Sequence, residues 1–374
     1  MELQKIILYY GFAPVADPIA MKLWQKTLCE SLNLKGRIIV SKHGINGTLG
    51  GNMSDLKKYV RATKEFPGFG KIDFKWSDGT GNDFPRLSVK NREELVAFNL
   101  LNSERTRCGF GLLSQSPKLD LASKAHADWN LLNNQFSHNE DASVYPNGYT
   151  GYIPYDRALY QGYSSSPGGY GEVMAWRNTT HKAGVAAPLI RGLLNAPFHL
   201  ALLMKGYREL GVSVQEPNDV GAQNGNAQLV ADVSYKNDVG LQKIASNSVE
   251  TYPCEGSTGV SYQLFGESPN PVPGRDLSTS PLGVSILIKV RDGQNLNVTS
   301  AALKETISGA AVQLRGLVGG VNGQADTIDN VFNASTAYVA ADSPLRPNTQ
   351  YTMNLVGTNN GVAFTKTFTF ATGN

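Results

Sequence analysis

The sequence predicts a multidomain α+β protein, and three observations carry that reading. At 374 residues the chain is too long for one ordinary core, which calls for two or three domains of roughly 100 to 200 residues. Residues 1–98 follow the order β-α-β-β-α-β, the ferredoxin-like arrangement. Residues 271–374 alternate short apolar runs with turn residues at the spacing of a β-sandwich. Charge changes along the chain as well. Residues 1–98 hold 15 Lys and Arg against 10 Asp and Glu, and the remainder holds 19 against 21. The net charge of +3 therefore averages a basic part and a slightly acidic one. Hydrophobic residues at 41% suffice for packed cores, and charged residues at 17% are too few for a disordered chain.

The first segment reads element by element. Residues 5–12 are an apolar strand ended by Gly11 and Pro14. Asp17 followed by Pro18 supplies an N-cap with proline at the first helical position, so a helix should run to about Leu32. Residues 36–42 read as a strand, 44–47 as a turn and 48–50 as a short return strand. Ser54 or Asp55 should open a second helix through Glu65, because Leu56, Tyr59, Val60 and Thr63 recur at helical spacing. Residues 72–76 supply a fourth strand.

Beyond Phe98 the pattern turns helical through Leu100, Leu101, Glu104 and Arg105. An apolar stripe follows: Leu119, Leu121, Ala122, Ala125, His126, Trp129 and Leu132. A Tyr/Gly/Pro-rich stretch over 144–170, a helix over 187–194 and a strand ending near Val214 come next. Residues 219–266 alternate short β runs, "VSYQLFG" among them, with turns, and 266–283 read as a Pro/Gly/Ser-rich linker. Strands are expected over 284–290, 312–317, 337–340, 350–357 and 364–371, with Tyr351 and Phe368 in the core.

No apolar run reaches the roughly 18 to 20 residues that span a bilayer. Residues 6–15 come nearest but lack the basic start and cleavage site of a signal peptide, so no export signal is expected in the chain as written. Cys29 sits in a helical pattern and reads as a buried free thiol. Cys108 and Cys254 lie in turn-like contexts and read as one disulfide closing a long loop, which belongs in an oxidising compartment. Two separate buried thiols are the alternative, because spacing does not fix pairing.

The strings "LKGRIIVSKHGINGTLGG" and "FKWSDGTGNDFPRLSVKNREELVAF" resemble the N-terminal domain of the rhodanese-related tRNA uridine hydroxylases over nearly all of residues 1–98. That resemblance implies hydroxylation of a wobble uridine of tRNA in the cytoplasm, by a reactive cysteine in a rhodanese domain. No rhodanese-type cysteine loop follows here, so no catalytic role passes to Cys108. Read from the residues alone, Lys35, Arg37, Lys42, His43, Arg86, Lys90 and Arg92, with Phe84 and Trp76 nearby, make a basic surface suited to RNA phosphates. A merely solvated basic face fits the same residues. Gly44 and Gly47 are not a phosphate loop, because no P-loop lysine follows them.

Five further strings, "LLNSERTRCGFGLL", "ASKAHADWNLLNNQFSH", "GYIPYDRALYQGY", "GYGE" and "NAPFH", resemble bacterial members of the CAP (cysteine-rich secretory, antigen 5 and pathogenesis-related 1) superfamily. The resemblance implies a CAP α-β-α sandwich within a domain over 99–270, an exported location, and lipids, small hydrophobic ligands or cell-surface partners. It also implies a cleft lined by His138, Glu172 and His199. The family's second cleft glutamate has no match between Glu172 and His199. As chemistry, two imidazoles and a carboxylate suit Zn²⁺ or another divalent metal, or else are hydrogen-bonded cleft residues. His126 reads as core and His181 as a surface loop. No G-x-S-x-G appears, and Ser137 has no partner identifiable by spacing, so a serine hydrolase is not indicated.

The closing strands, "PLRPNTQYTMNLVG" and "FTKTFTFATG", resemble bacterial immunoglobulin-like domains, which implies an Ig-like β-sandwich spacer over 271–374. Two functions follow: an exported CAP-type binding protein with an Ig-like spacer, or an RNA-binding fragment of a tRNA uridine hydroxylase. The two compartments differ, so the chain reads as a fusion.

Overall fold

A computed structural model describes residues 3–13, 15–41, 44–91, 93–165, 169–179, 184–215 and 226–374. The chain divides after Val96 into two compact units, Met1–Val96 and Ala97–Asn374.

The first unit contains β1 (Gln4–Phe12), α1 (Pro18–Ser31), β2 (Lys35–Ser41), β3 (Gly44–Asn52), α2 (Met53–Glu65), β4 (Asp73–Asp78) and β5 (Leu87–Asn91). Asp17 caps α1 through its Oδ1, which accepts from the Ala20 N–H at 3.0 Å. The sheet order is β4-β1-β3-β2-β5, with β5 parallel to β2 and the other pairs antiparallel. Ile7 and Tyr9 of β1, Ile38 of β2, Leu49 of β3, and Leu56 and Tyr59 of α2 form one buried core. The alternation along β2 leaves Lys35 and Arg37 on the opposite, open face. The expected turn at 44–47 is instead the start of the nine-residue β3. Its glycines serve close approach rather than a turn: a Cβ at Gly47 would strike the Tyr9 ring, and one at Gly51 would meet Leu34 Cδ2 at 2.6 Å.

The second unit begins within α3 (Glu93–Arg107). It continues through β6 (Ser114–Gln115), α4 (Pro117–Leu132), α5 (Pro154–Tyr160), β7 (Tyr170–Asn178), α6 (Ala186–Leu193), α7 (Pro197–Leu203), β8 (Glu209–Gln215) and β9 (Asn226–Ser234). These strands form a sheet in the order β6-β8-β9-β7. Helices cover both of its faces. On one face Met174 of β7 and Val230 of β9 pack against Ala127 of α4. On the other, Gly171 of β7 lies so close to α7 that a Cβ would meet Leu202 Cδ1 at 2.9 Å. The buried stripe of α4 is Leu119, Ala122, Ser123, His126, Ala127, Trp129 and Asn130. Leu121 and Leu132, expected within it, are exposed, because the stripe follows the side of the helix that meets β8 and β9.

The rest of this unit is β10 (Glu250–Tyr252), β11 (Ser257–Val260), β12 (Ser285–Lys289), β13 (Leu296–Glu305), β14 (Ala311–Val312), β15 (Val318–Gly319), β16 (Thr336–Ala340), β17 (Gln350–Asn359) and β18 (Val362–Thr372). Two sheets, β10-β12-β16-β15 and β11-β18-β17-β13-β14, enclose a shared core that includes Ile286, Ile288, Val339, Met353, Leu355, Phe368 and Phe370. All five residues of β12 are buried, since α7 packs near the strand as well. Asn195 completes this junction: its Nδ2 donates to the Gly283 carbonyl at 3.1 Å, and its Oδ1 accepts from the Ser285 N–H at 2.8 Å.

The expected boundary between 270 and 271 falls inside shared sheets, because β10 pairs with β12 and β11 with β18. The expected linker over 266–283 is packed: Leu277 is buried, and Arg275 Nη1 donates to Asp342 Oδ1 at 2.8 Å. Of residues 312–317, Val312 ends the short β14 and 313–317 connect it to β15 instead of forming one strand, and "VSYQLFG" is strand only at Val260. Cys108 and Cys254 are joined in a disulfide. Cys29 is free and buried. Among the described residues no single helix is long and apolar enough to cross a membrane.

Candidate functional site

His138 and Glu172 meet in the second unit, on a foundation that their own motifs do not reveal. Glu172 projects from β7, and its Oε1 accepts from His138 Nδ1 at 2.8 Å. Arg157 of α5 donates from Nη2 to Glu172 Oε2 at 2.7 Å. Both oxygens of this buried carboxylate are therefore engaged, while the His138 side chain remains 47% exposed. His126 positions the loop that carries His138. The Ser137 carbonyl can only accept, so His126 Nε2–H donates to it at 2.8 Å, and Nδ1 lies 2.9 Å from Glu140 Oε1. Glu140 Oε2 accepts from the Thr150 N–H at 2.8 Å, which ties the loop again before α5. His126 is thus in the core, as its place on α4 implies, but within a polar network.

The charges in this cluster are unequal. Burial alone would push the Glu172 carboxyl up, but the Arg157 guanidinium, then the His138 hydrogen bond and the adjoining His126, hold it down at about 2. Asp232 of β9 goes the other way: burial and then the Glu172 charge push it well above the carboxylate range. Ser123 Oγ donates to Asp232 Oδ2 at 2.7 Å. Because the folded Glu172 value lies below the unfolded value of about 4.3, its contribution to stability is present above that pH and lost as pH falls toward about 2. Acid unfolding curves should therefore show a loss across this window in the wild type that is absent from Glu172→Gln.

His199, near the start of α7, has a different partner. Its Nδ1 donates to Glu267 Oε1 at 2.9 Å, and the same oxygen accepts from the N–H groups of Phe198 at 2.8 Å and His199 at 3.0 Å. Burial, ahead of these hydrogen bonds, raises the Glu267 carboxyl. Glu267 thus supplies an acidic partner that the sequence between Glu172 and His199 lacks, from the segment expected to be a linker. The three expected ligands do not assemble for Zn²⁺ or another divalent ion. Among the described residues no group of three or more His, Cys, Asp or Glu is placed to hold a metal. Glu172 is held by Arg157 and His138, and His199 by Glu267.

In the first unit, Lys35, Arg37 and Arg86 are exposed. The Gly36 N–H donates to the Arg86 carbonyl at 3.1 Å, which brings Arg86 beside the start of β2. Phe84 lies over Gly50, where a Cβ would meet its ring at 3.1 Å, and Gly50 is the register partner of Lys35. Trp76 is elsewhere: it lies on the edge strand β4, separated from β2 by β1 and β3. Lys42, His43, Arg92 and His181 lie outside the described residues, as does the side chain of Lys90.

Residues 4–95 match a family model described as the UPF0176 acylphosphatase like domain. Over 102 residues the chain is 60% identical to a tRNA uridine(34) hydroxylase of Corynebacterium efficiens, a stretch that covers 27% of this chain and 33% of that protein. Over 94 residues it is 65% identical to the tRNA uridine(34) hydroxylase of Corynebacterium jeikeium, covering 25% and 30%. The chain spans about a third of the length of these curated relatives. Its N-terminal region therefore resembles the tRNA uridine(34) hydroxylases. Among solved structures, an extracellular protein containing an SCP domain from Bacillus anthracis is 21% identical, covering 52% of this chain and 54% of its own, with a TM-score of 0.30. The acylphosphatase of Bacillus subtilis is 17% identical, covering 24% and 98%, with a TM-score of 0.19. At such scores neither structure supports an assignment.

Proposed function

We propose that Met1–Val96 is a tRNA-contacting module of the tRNA uridine hydroxylase type. The observation that carries this reading is the convergence of Lys35, Arg37, Arg86 and Phe84 at one end of the open sheet face. Three cations there can neutralise phosphates, and the Phe84 ring can stack on an unpaired base. The relatives' name supplies the choice of RNA. The test is filter binding of tRNA to the full chain over a series of salt concentrations. Changing Lys35, Arg37 and Arg86 together to Ala should weaken binding and flatten the logarithmic salt slope by roughly 2 to 3, about 0.7 to 0.9 for each phosphate no longer neutralised. An unchanged slope would assign these cations to a merely solvated surface.

A second reading concerns Ala97–Asn374, which we take as a ligand-binding unit of CAP type joined to an Ig-like sandwich. Three features support it: the α-β-α layering, the His138–Glu172 and His199–Glu267 pairs, and a cavity of about 970 Å³ beside the latter. That volume is at the upper end for sites that hold small ligands. Lipids, small hydrophobic molecules or a cell-surface partner are its candidate occupants, and an exported location goes with this reading.

A further inference from the structure

β7 is the outermost strand of its sheet. It pairs with β9 from Tyr170↔Ser234 to Asn178↔Asn226, and among the described residues no strand lies along its other side. In an antiparallel pair, every second residue turns its N–H and C=O away from the partner, so β7 presents a row of such groups outward. The cavity of about 970 Å³ reaches the second half of this row, because Met174, Ala175, Trp176 and Arg177 line it. Successive strand residues point to opposite faces of a sheet, and a cavity touching four in succession lies on the strand's edge, not over one face.

The other walls suit an extended chain. Leu189 and Leu193 of α6 supply apolar lining, and the segment 259–268 lines the cavity as well. Trp176 and Phe265 each remain 56% exposed. Glu267 also lines the groove, where its Oε1 accepts from three donors of its own chain. Exposed Arg177 stands at the same edge.

We propose that this groove takes an extended polypeptide segment as an added strand on β7. Its apolar side chains lie against Leu189, Leu193 and Trp176, and an acidic residue faces Arg177. A fatty acyl chain would fill the apolar wall but offers no donors and acceptors repeating at strand spacing, whereas a peptide backbone satisfies the edge directly. The proposal rests on the ligand-binding reading of Ala97–Asn374 and narrows it to one class of occupant.

The test uses the full chain. A phage-displayed library of random nonapeptides is selected on it, the enriched peptide is synthesised with a fluorophore, and its binding is followed by anisotropy. Methylating the peptide's backbone nitrogens one at a time should weaken binding at least tenfold at every second position and less than twofold between them. Trp176→Asp and Arg177→Glu should each weaken it about tenfold with an unchanged melting curve. No enriched peptide, or binding indifferent to N-methylation, overturns the proposal. Saturable uptake of laurate with no peptide selected also overturns it, while leaving the ligand-binding reading intact.

Discussion

Replacing Cys108 and Cys254 with serine should lower the unfolding free energy of Ala97–Asn374 by about 5 kcal/mol. The bridge joins residues 146 apart in sequence, and in the chain-entropy model a loop of that length restricts the unfolded chain by this amount. It also holds a buried polar cluster together. Glu104 accepts from Arg191 Nη1 at 3.0 Å and from Ser257 Oγ at 3.2 Å, and Ser257 Oγ accepts from the Cys254 N–H at 3.2 Å. Guanidinium unfolding of the wild type and the double serine variant measures the loss. Alkylation gives an independent count. Unfolded without reductant, the chain should take up one alkyl group, at Cys29. In the folded state Cys29 should not react, because burial pushes its thiol up to about 12. Three alkyl groups on the unreduced chain would show that the bridge is absent.

Arg157→Ala should cost about 3 to 5 kcal/mol, the range for removing one partner of a buried ion pair. Arg157 is 1% exposed, and its guanidinium is the main counter-charge to Glu172. Without it the carboxylates of Glu172 and Glu140 remain buried at the base of the His138 loop. A double-mutant cycle with Glu172→Gln separates the pair from the packing around it. If the two residues act as a pair, the double variant should lose less than the sum of the single losses. Simple addition would mean that Arg157 stabilises through its other partners, the Gly151 and Tyr152 carbonyls and the Glu140 carboxylate.

Where local chemistry sets the structure, the sequence is a sufficient guide. Asp17 and Pro18 announce α1, the spacing of Leu56, Tyr59 and Thr63 announces α2, and the alternation around Tyr351 and Phe368 announces β17 and β18. It misleads where one residue type serves two purposes. Glycine at 47 reads as a turn because turns are its commonest use, yet the demand comes from Tyr9 on the neighbouring strand. β13 contains "SAALKE", good helix formers, and its strand form is imposed by pairing with β17. α5 is only seven residues long and hides in a Tyr/Gly/Pro-rich stretch.

Of the three residues expected to share a cleft, His138 and Glu172 meet while His199 pairs with Glu267, and the residues that hold them were not legible. Glu140 stands two residues beyond His138, and Arg157 immediately precedes the apolar run Ala158-Leu159-Tyr160 in "YDRALY". Those are the signals that could have marked both as buried. Glu267 gives no comparable signal, because it lies 68 residues from His199 in a segment whose Pro, Gly and Ser content reads as a linker. Only the fold brings the two together.

RNA contact by the first unit is tested most directly by photo-crosslinking tRNA that carries 4-thiouridine to the full chain, followed by peptide mass spectrometry. If Met1–Val96 is the RNA-contacting module, crosslinked peptides should come from that unit, with Phe84 and the Lys35–Arg37 stretch foremost, and should disappear in the Lys35, Arg37 and Arg86 triple alanine variant. Crosslinks located mainly within Ala97–Asn374, or unaffected by the triple substitution, would contradict that assignment.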